Sequence, residues 1–135
     1  MSTDAPILVF DGVCVLCSRS VQFVLRHDAD RRFRFATNQS STGARLMRDH
    51  GLDPERPVSV LLVEGNRGWR DSAAAIRVLF AFGGGWKLLG GLIWIIPRPL
   101  RDSIYRYVAG RRYAWFGKRD ACFLPEPENR SRFLD

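Results

Sequence analysis

The sequence has few cysteines and no long hydrophobic run, and each of these shortages argues against a class of protein. Three cysteines among 135 residues argue against a disulfide-stapled secreted protein, in which cysteines are dense and even in number. The start, MSTDAPILVF, lacks the basic residues and the long apolar core of a signal peptide. The longest apolar stretch, LLGGLIWIIP, is well short of the ~20 residues that cross a bilayer. We therefore expect a cytoplasmic protein without a transmembrane segment, in which that stretch is a buried helix or contacts a membrane surface.

Positive charge is concentrated in the second half of the chain. The formal net charge is +7, and nearly all of the basic residues are arginines. Residues 1–67 carry nine basic and eight acidic residues, whereas residues 68–135 carry twelve basic and six acidic residues. A basic half is typical of proteins that contact nucleic acid, an anionic membrane or an acidic partner, and also of an arginine-rich solvated surface. No known nucleic-acid motif accompanies these arginines, so specific nucleic-acid binding is not expected.

Apolar runs and turn signals predict an α/β chain in which strands and helices alternate before a helical C-terminal part. The predicted order is strand, helix, strand, helix, strand, strand, helix. The strands are expected at 6–10, 32–36, 58–63 and around Trp69. The helices are expected from Cys14 to about His27, from a cap at Ser41 or Thr42 to about His50, and over AAAIRVLFAF after a cap at Ser72.

The C-terminal part has its own pattern. Helices are predicted near 86–95 and from Leu100 to about Ala109, on either side of the break IPRP. The tail from Gly110 has no clear period, and we expect it to wrap the core as a loop. We therefore expect one domain over residues 1–135, with a core at about 5–85 and a helical extension, rich in arginine and aromatic residues, at about 86–135.

Two of the three cysteines form a C-x-x-C pair directly after the first predicted strand. Cys14 and Cys17 follow the turn Asp11-Gly12 and open the first predicted helix. One helical turn brings two such cysteines close enough to bridge, and the helix N-terminus lowers the pKa of the first thiol. A strand, a tight turn and C-x-x-C at the start of a helix form the context of dithiol–disulfide exchange.

Three other interpretations of the pair compete with this one. A structural zinc site needs four ligands, and Cys122, His27 and His50 stand at no recognised spacing. Iron–sulfur clusters normally take four thiolates. Both cysteines could also be small hydrophobic residues of the core. No metal is therefore expected, and no cofactor either, because the sequence contains no P-loop, dinucleotide fingerprint or nucleophile elbow.

Several blocks of the sequence resemble a known family. They are FDGVCVLC followed by SVQFVLRHD, then FRFATNQS, VSVLLVEG, RDSAAAIRVL and IPRPLRDSIYRYVAGRRYAWFGKRDAC, up to RFLD. These blocks are similar to the DCC (DUF393) proteins, described as thiol–disulfide oxidoreductases and named for a D-x-x-C-x-x-C motif, which falls on Asp11, Cys14 and Cys17. The order of elements also fits a thioredoxin-like fold. That fold usually has a cis-proline before the strand facing the disulfide, but Pro57 stands one position early, so it is cis or the feature is absent.

The function we predict is cytoplasmic thiol–disulfide exchange. Cys14, exposed just past the glycine turn, would attack, and Cys17, facing the core, would resolve the mixed disulfide. Asp11 either caps the turn and helix or exchanges a proton beside the dithiol, and its charge should raise the Cys14 pKa by less than the helix lowers it. Cys122, in an apolar setting, is expected to be inert.

The partners stay open at this point. The substrate would be a protein or a low-molecular-weight thiol or disulfide, and the sequence names neither the electron donor nor the oligomeric state. The rival hypothesis is a non-catalytic binding module that uses the basic C-terminal face for nucleic acid or a protein partner.

Overall fold

The structure, a computed structural model, describes residues 6–28, 33–55, 60–65, 67–117 and 132–134. Within these ranges the chain forms four strands and six helices. In chain order they are β1 (Ile7–Phe10), α1 (Val15–His27), β2 (Arg34–Thr37), α2 (Ser41–Asp49), β3 (Leu61–Glu64), β4 (Arg67–Arg70), α3 (Asp71–Phe82), α4 (Gly84–Ile95), α5 (Arg98–Gly110) and α6 (Arg112–Phe116).

The strands form one mixed sheet in the order β2-β1-β3-β4. β1 pairs in parallel with β2 and antiparallel with β3, so the first apolar run is a central strand. β3 and β4 form the predicted antiparallel hairpin, with Glu64 opposite Arg67. A strand–helix–strand unit followed by a hairpin and a helix is consistent with a thioredoxin-like fold. The predicted α/β fold with a helical extension is therefore confirmed.

Alternation along β1 divides the core between the two faces of the sheet. Leu8 and Phe10 pack with apolar residues of α1 and α3, whereas Val9 packs with Met47 of α2. These three side chains are all buried, although they lie on opposite faces of the sheet, and this explains why the sequence of the strand is a continuous apolar run. Four residues, 11–14, separate the end of β1 from the start of α1, and they are thus fixed between two elements of the core.

Helix α2 has a different cap from the two predicted. Ser40, rather than Ser41 or Thr42, is the N-cap, and its Oγ accepts the Gly43 N–H at 3.0 Å. The three candidates are consecutive and polar, so local pattern could not choose between them. Gly43 approaches the Thr37 carbonyl so closely that a Cβ would clash, so this position of the first turn requires glycine.

The start of α3 is fastened to the C-terminal extension instead of being capped locally. Ser72, the predicted cap, is the second residue of α3, and its hydroxyl donates to the Asp102 carboxylate. Burial works against the ionised form of Asp102, but the hydrogen bonds from Ser72 outweigh it and lower the Asp102 pKa. Asp71, buried beside it, lies 3.3 Å from the Arg106 guanidinium. Both partners belong to α5, which local sequence pattern does not reveal.

The extension has three helices within the described residues, where two were predicted. α4 begins at Gly84, two residues before its predicted start, after Gly83 turns the chain at a φ of 75°. α6 lies in the tail that the sequence predicts to be a loop. That prediction is wrong over residues 112–116, because five residues are too few to show a helical period.

The last described residues lie against β2. The Phe133 ring stacks on Phe35 with 5.2 Å between the ring centroids. Arg132 is buried, donates to the Phe33 carbonyl at 3.0 Å and pairs with the Asp28 carboxylate. The chain therefore returns to cover the junction between α1 and β2.

Three predictions extend beyond the described ranges. Cys122 and Pro57 both lie outside them, so the inertness of the one and the peptide geometry of the other stay predictions. The division of residues 1–135 into a core and an extension of one domain also stays a prediction.

Replacing Arg132 by methionine is expected to destabilise the fold strongly, because the buried Asp28 carboxylate loses its guanidinium partner. Removing one member of a buried ion pair typically costs about 3–5 kcal/mol of unfolding free energy. Arg45→Met, at an exposed position of α2, is the matched control and should change stability by at most about 0.5 kcal/mol. Urea denaturation measures both variants, and equal stabilities would contradict the buried contact.

Candidate functional site

The turn between β1 and α1 places the C-x-x-C pair at a helix N-terminus. Cys14 is the N-cap of α1, and its Sγ accepts the Cys17 N–H at 3.3 Å. The Cys14 N–H donates to the Asp11 carbonyl at 3.3 Å, and the Asn38 side chain accepts the Gly12 N–H at 3.1 Å. A sulfur at this position faces free N–H groups and the positive end of the helix dipole, which favour a thiolate.

The two thiols differ in their tendency to ionise. The hydrogen bond from the Cys17 side chain lowers the pKa of Cys14 to about 6, with help from the Arg112 cation, although burial and the Asp11 charge oppose the shift. The same hydrogen bond raises the pKa of Cys17, and burial and the negative charge on Cys14 raise it further. In the reduced protein at neutral pH, Cys14 is therefore the thiolate and Cys17 the thiol.

Asp11 is a buried connector between the turn and the C-terminal extension. Its Oδ1 accepts the Val13 N–H at 3.1 Å, which shapes the turn. Its Oδ2 accepts from the Arg112 guanidinium at 3.2 Å and from the Tyr113 hydroxyl. Burial, followed by the hydrogen bond to Asp11, raises the pKa of Tyr113 to about 12, so the hydroxyl keeps the proton that it donates. These contacts are those of a turn former, and a role for Asp11 in proton transfer stays a prediction.

Three residues of this site were missed by the sequence reasoning: Arg112, Tyr113 and Asn38. Arg112 and Tyr113 lie 101 and 102 residues from Asp11, in the segment predicted to be a loop. Burial opposes the charged form of Arg112, but the hydrogen bond to Asp11 outweighs it and raises the Arg112 pKa. All three residues lie in sequence blocks that carry the family resemblance. The resemblance could have singled them out, but it does not say which side chains they contact.

Cys14 is less accessible than predicted. Its exposed fraction is 0%, and α6 packs against the start of α1. The Gly117 carbonyl, just after α6, accepts the Val15 N–H at 3.3 Å. The predicted exposure of Cys14 is therefore wrong, because a helix without a visible period covers the turn. Cys17 packs against the core as predicted, but it is only half-buried.

An apolar cavity adjoins Cys17. Its volume is about 470 Å³, within the ~300–1,000 Å³ typical of small-molecule sites. The Asp11–Arg112 pair is among its few polar groups. Helices α1, α3 and α5 supply most of the apolar wall, which includes Leu16, Phe23, Val78, Leu79, Val108 and Ala109.

Other candidate groups make structural contacts. His27 packs against the rings of Phe23 and Trp86, and Arg98 lies 3.6 Å from the Asp102 carboxylate. In the described ranges, no three histidine, cysteine or acidic side chains are grouped as a metal ion requires. No described helix has the length and apolar character that crossing a membrane takes.

Comparison with known proteins points to one family. Residues 8–118 match the family described as DCC1-like thiol-disulfide oxidoreductase. The chain belongs to this family. The DCC resemblance of the sequence is thereby confirmed, and the matched range contains both the C-x-x-C turn and α6.

Two relatives of this DCC protein show how far the likeness extends. The uncharacterized protein YuxK of Bacillus subtilis is 41% identical over 128 residues, which cover 95% of this chain and 93% of that protein. A chloroplastic DCC family protein of Arabidopsis thaliana is 39% identical over 119 residues, which cover 88% of this chain and 69% of that protein. No solved structure matches the chain significantly.

The Cys14 pKa should depend on the hydrogen-bond donor at position 17. Cys17→Ala removes the donor that lowers this pKa most, so the value should rise from about 6 by roughly one unit or more. Cys17→Ser keeps a hydroxyl donor and should retain most of the shift. In a Cys122→Ser background, the ultraviolet absorbance of the thiolate against pH measures both without requiring reagent access. Equal midpoints for the alanine and serine variants would show that the helix N-terminus alone sets the pKa.

Proposed function

We propose that this DCC family member catalyses thiol–disulfide exchange through Cys14 and Cys17. The observation that carries the proposal is a Cys14 sulfur at a helix N-terminus, whose pKa the Cys17 hydrogen bond lowers to about 6. The family description supports the same class of reaction. The odd number of cysteines supports a reducing, cytoplasmic location as part of the proposal.

The reaction consists of two successive exchanges. The Cys14 thiolate attacks one sulfur of a substrate disulfide, forms a mixed disulfide and releases the other substrate sulfur as a thiolate. Cys17 then gives its proton to the released thiolate and attacks the Cys14 sulfur, which frees the second substrate thiolate. Two electrons pass from the dithiol to the substrate, and an external dithiol, or two external thiols, later reduces the Cys14–Cys17 disulfide and is itself oxidised to a disulfide. The reverse sequence oxidises a substrate dithiol.

Access to Cys14 requires a change at α6, because the sulfur is buried in the reduced protein. We propose that α6 moves away from the start of α1 during exchange. The contacts that would break are those of Arg112 and Tyr113 with Asp11 and the backbone hydrogen bond between Val15 and Gly117. Such a movement leaves α1 and its N-terminal charge in place, so the thiolate stays stabilised while it becomes accessible.

The cavity beside Cys17 supports a substrate with an apolar group next to its reactive sulfur. An apolar group seated in this cavity would make dispersion contacts with its apolar lining. A peptide with a bulky apolar side chain beside its cysteine would fit this description, and so would a small apolar thiol. The half-buried Cys17 lies in the cavity wall, where it can complete the exchange.

A second candidate is a non-catalytic binding module that uses the basic C-terminal face. Its supporting observation is the Arg111 guanidinium, which lies 4.8 Å from the centre of the exposed Tyr107 ring. Pairs of cations and exposed rings of this kind bind nucleic acid bases and phosphates. Because this candidate makes no use of a reactive thiol, trapping separates the two functions.

The Cys17→Ser variant is expected to retain substrates as mixed disulfides on Cys14. Capture from lysate under non-reducing conditions, followed by elution with a thiol and mass spectrometry, identifies them. The matched control, Cys14→Ser combined with Cys17→Ser, keeps the fold and the basic face but should capture nothing by disulfide.

If the Cys17→Ser variant captures no substrate, a second experiment on the purified protein decides what that result means. In an oxidised glutathione buffer, the wild type is expected to form an intramolecular Cys14–Cys17 disulfide, which peptide mapping detects. If the trap is empty and this disulfide fails to form, thiol–disulfide exchange is the wrong function and the binding module is favoured.

A further inference from the structure

The two helices α4 and α5 expose two apolar stripes. Leu88, Leu92 and Ile95 recur along α4 at spacings of four and three, and Leu100, Ile104 and Tyr107 do so along α5. Each spacing puts its three side chains on one helix face. All six side chains are 53–70% exposed. We call these six residues, with Trp94, the hairpin surface; large apolar side chains exposed in such numbers on successive helices mark an interaction site.

The packing of α4 explains why the stripes point outward. Gly90 is its only buried residue, and a Cβ there would lie 2.9 Å from the Phe80 ring of α3. The glycine therefore seats α4 closely on α3, while most of the large side chains of α4 remain at the surface. A helix that is apolar nearly all round is normally covered by something apolar.

The charge around the hairpin surface is of one sign. From Gly84 to Gly117 the only acidic residue is Asp102, which already accepts from the Ser72 hydroxyl. Six basic residues lie in the same range, namely Lys87, Arg98, Arg101, Arg106, Arg111 and Arg112. Arg112 is paired with Asp11, but Lys87, Arg98 and Arg111 are exposed and give the apolar stripes a basic surround, which complements an anionic surface.

The connection between the helices has the character of a membrane-interface anchor. Trp94, 63% exposed, and Ile95 precede it, and Leu100 follows. The Arg98 side chain is also largely exposed, and Arg101 donates to the Trp94 carbonyl at 3.0 Å, which ties the two helices together. Tryptophan favours the headgroup level of a bilayer, and arginine can reach headgroup phosphates while its stem lies on apolar surface.

We propose that the hairpin surface docks in the plane of an anionic lipid bilayer. The apolar stripes enter the headgroup–acyl boundary, and the exposed Lys87, Arg98 and Arg111 contact lipid phosphates. Each helix has 12 or 13 residues, or roughly 18–20 Å at 1.5 Å per residue, which suits a helix lying on a membrane. The surface does not include the cysteines, so the proposal does not depend on thiol–disulfide exchange.

A second copy of the chain and a nucleic acid both match the hairpin surface less well than an anionic bilayer does. A second copy docked through the same face would bring two strongly basic surrounds together, and like charges would oppose the contact. A nucleic acid would match the arginines and aromatic rings, but it would leave the aliphatic side chains of Leu92, Ile95 and Leu100 in water. An anionic bilayer satisfies both the charge and the aliphatic stripes.

Vesicle flotation tests the docking directly with the full-length protein. Phosphatidylcholine vesicles that contain phosphatidylglycerol should carry the protein, and pure phosphatidylcholine vesicles should carry much less. Binding should weaken at ~1 M salt, where the Debye length is about 3 Å. Binding should also shift the tryptophan fluorescence to shorter wavelength, and Trp94→Phe should remove most of that shift.

Matched variants separate this surface from a general attraction of positive charge. Arg98→Gln with Arg111→Gln should weaken binding roughly thirty-fold, because each arginine near the membrane contributes about 1 kcal/mol, or about fivefold in affinity. Arg45→Gln with Arg48→Gln removes the same charge from exposed positions of α2 and should weaken binding by less than about threefold. Ile95→Ser keeps the charge but removes an apolar anchor, and should weaken binding roughly tenfold.

Several outcomes would overturn the proposal. One is no binding to anionic vesicles at low salt, and another is equal weakening by the two arginine pairs. Dimerisation that Ile95→Ser abolishes, without vesicle binding, would assign the surface to a second copy. Tighter binding to single-stranded DNA than to anionic vesicles would assign it to nucleic acid. Disulfide exchange should equal that of the wild type in every variant, so a failure of docking is distinguishable from a failure of the proposed function.

Discussion

The Asp11 carboxylate and the Arg112 guanidinium join the two ends of the region that defines the family. Asp11 closes the turn after β1, whereas Arg112 belongs to α6, 101 residues later. Both side chains are largely withdrawn from solvent, with 3% and 12% of their surfaces exposed. A buried carboxylate without a partner is strongly unfavourable, so the turn that carries the cysteines and the end of the extension stabilise each other.

The same ion pair sets the charge around the dithiol. Arg112 lowers the Cys14 pKa and Asp11 raises it, and both effects are smaller than that of the Cys17 hydrogen bond. Because the two opposite charges lie 3.2 Å apart, their fields largely offset each other at the sulfur. An acidic residue three positions before Cys14 is therefore compatible with a thiolate, and the local hydrogen bond decides which cysteine ionises.

Sequence pattern predicted the features that short-range physics determines. β1, α1 and the β3–β4 hairpin follow from apolar runs and turn residues, and the spacing of Cys14 and Cys17 predicts the start of α1. The contacts of Arg112 could not be predicted in this way, because a five-residue helix has no visible period and its partner is distant in sequence. Ser72 shows the same limit: a serine before an apolar run can cap a helix, but here its hydroxyl binds Asp102 of another helix.

A double-mutant cycle between Asp11 and Arg112 tests most directly whether this ion pair holds the site together. Asp11→Asn and Arg112→Gln each leave a buried charged group without its oppositely charged partner, so each should reduce the unfolding free energy measured in urea. The double variant should be more stable than the sum of the two losses implies, by about 1–3 kcal/mol, while the Cys14 pKa falls in Asp11→Asn and rises in Arg112→Gln. Losses that add to within about 0.5 kcal/mol, with an unchanged Cys14 pKa in both single variants, would contradict the account.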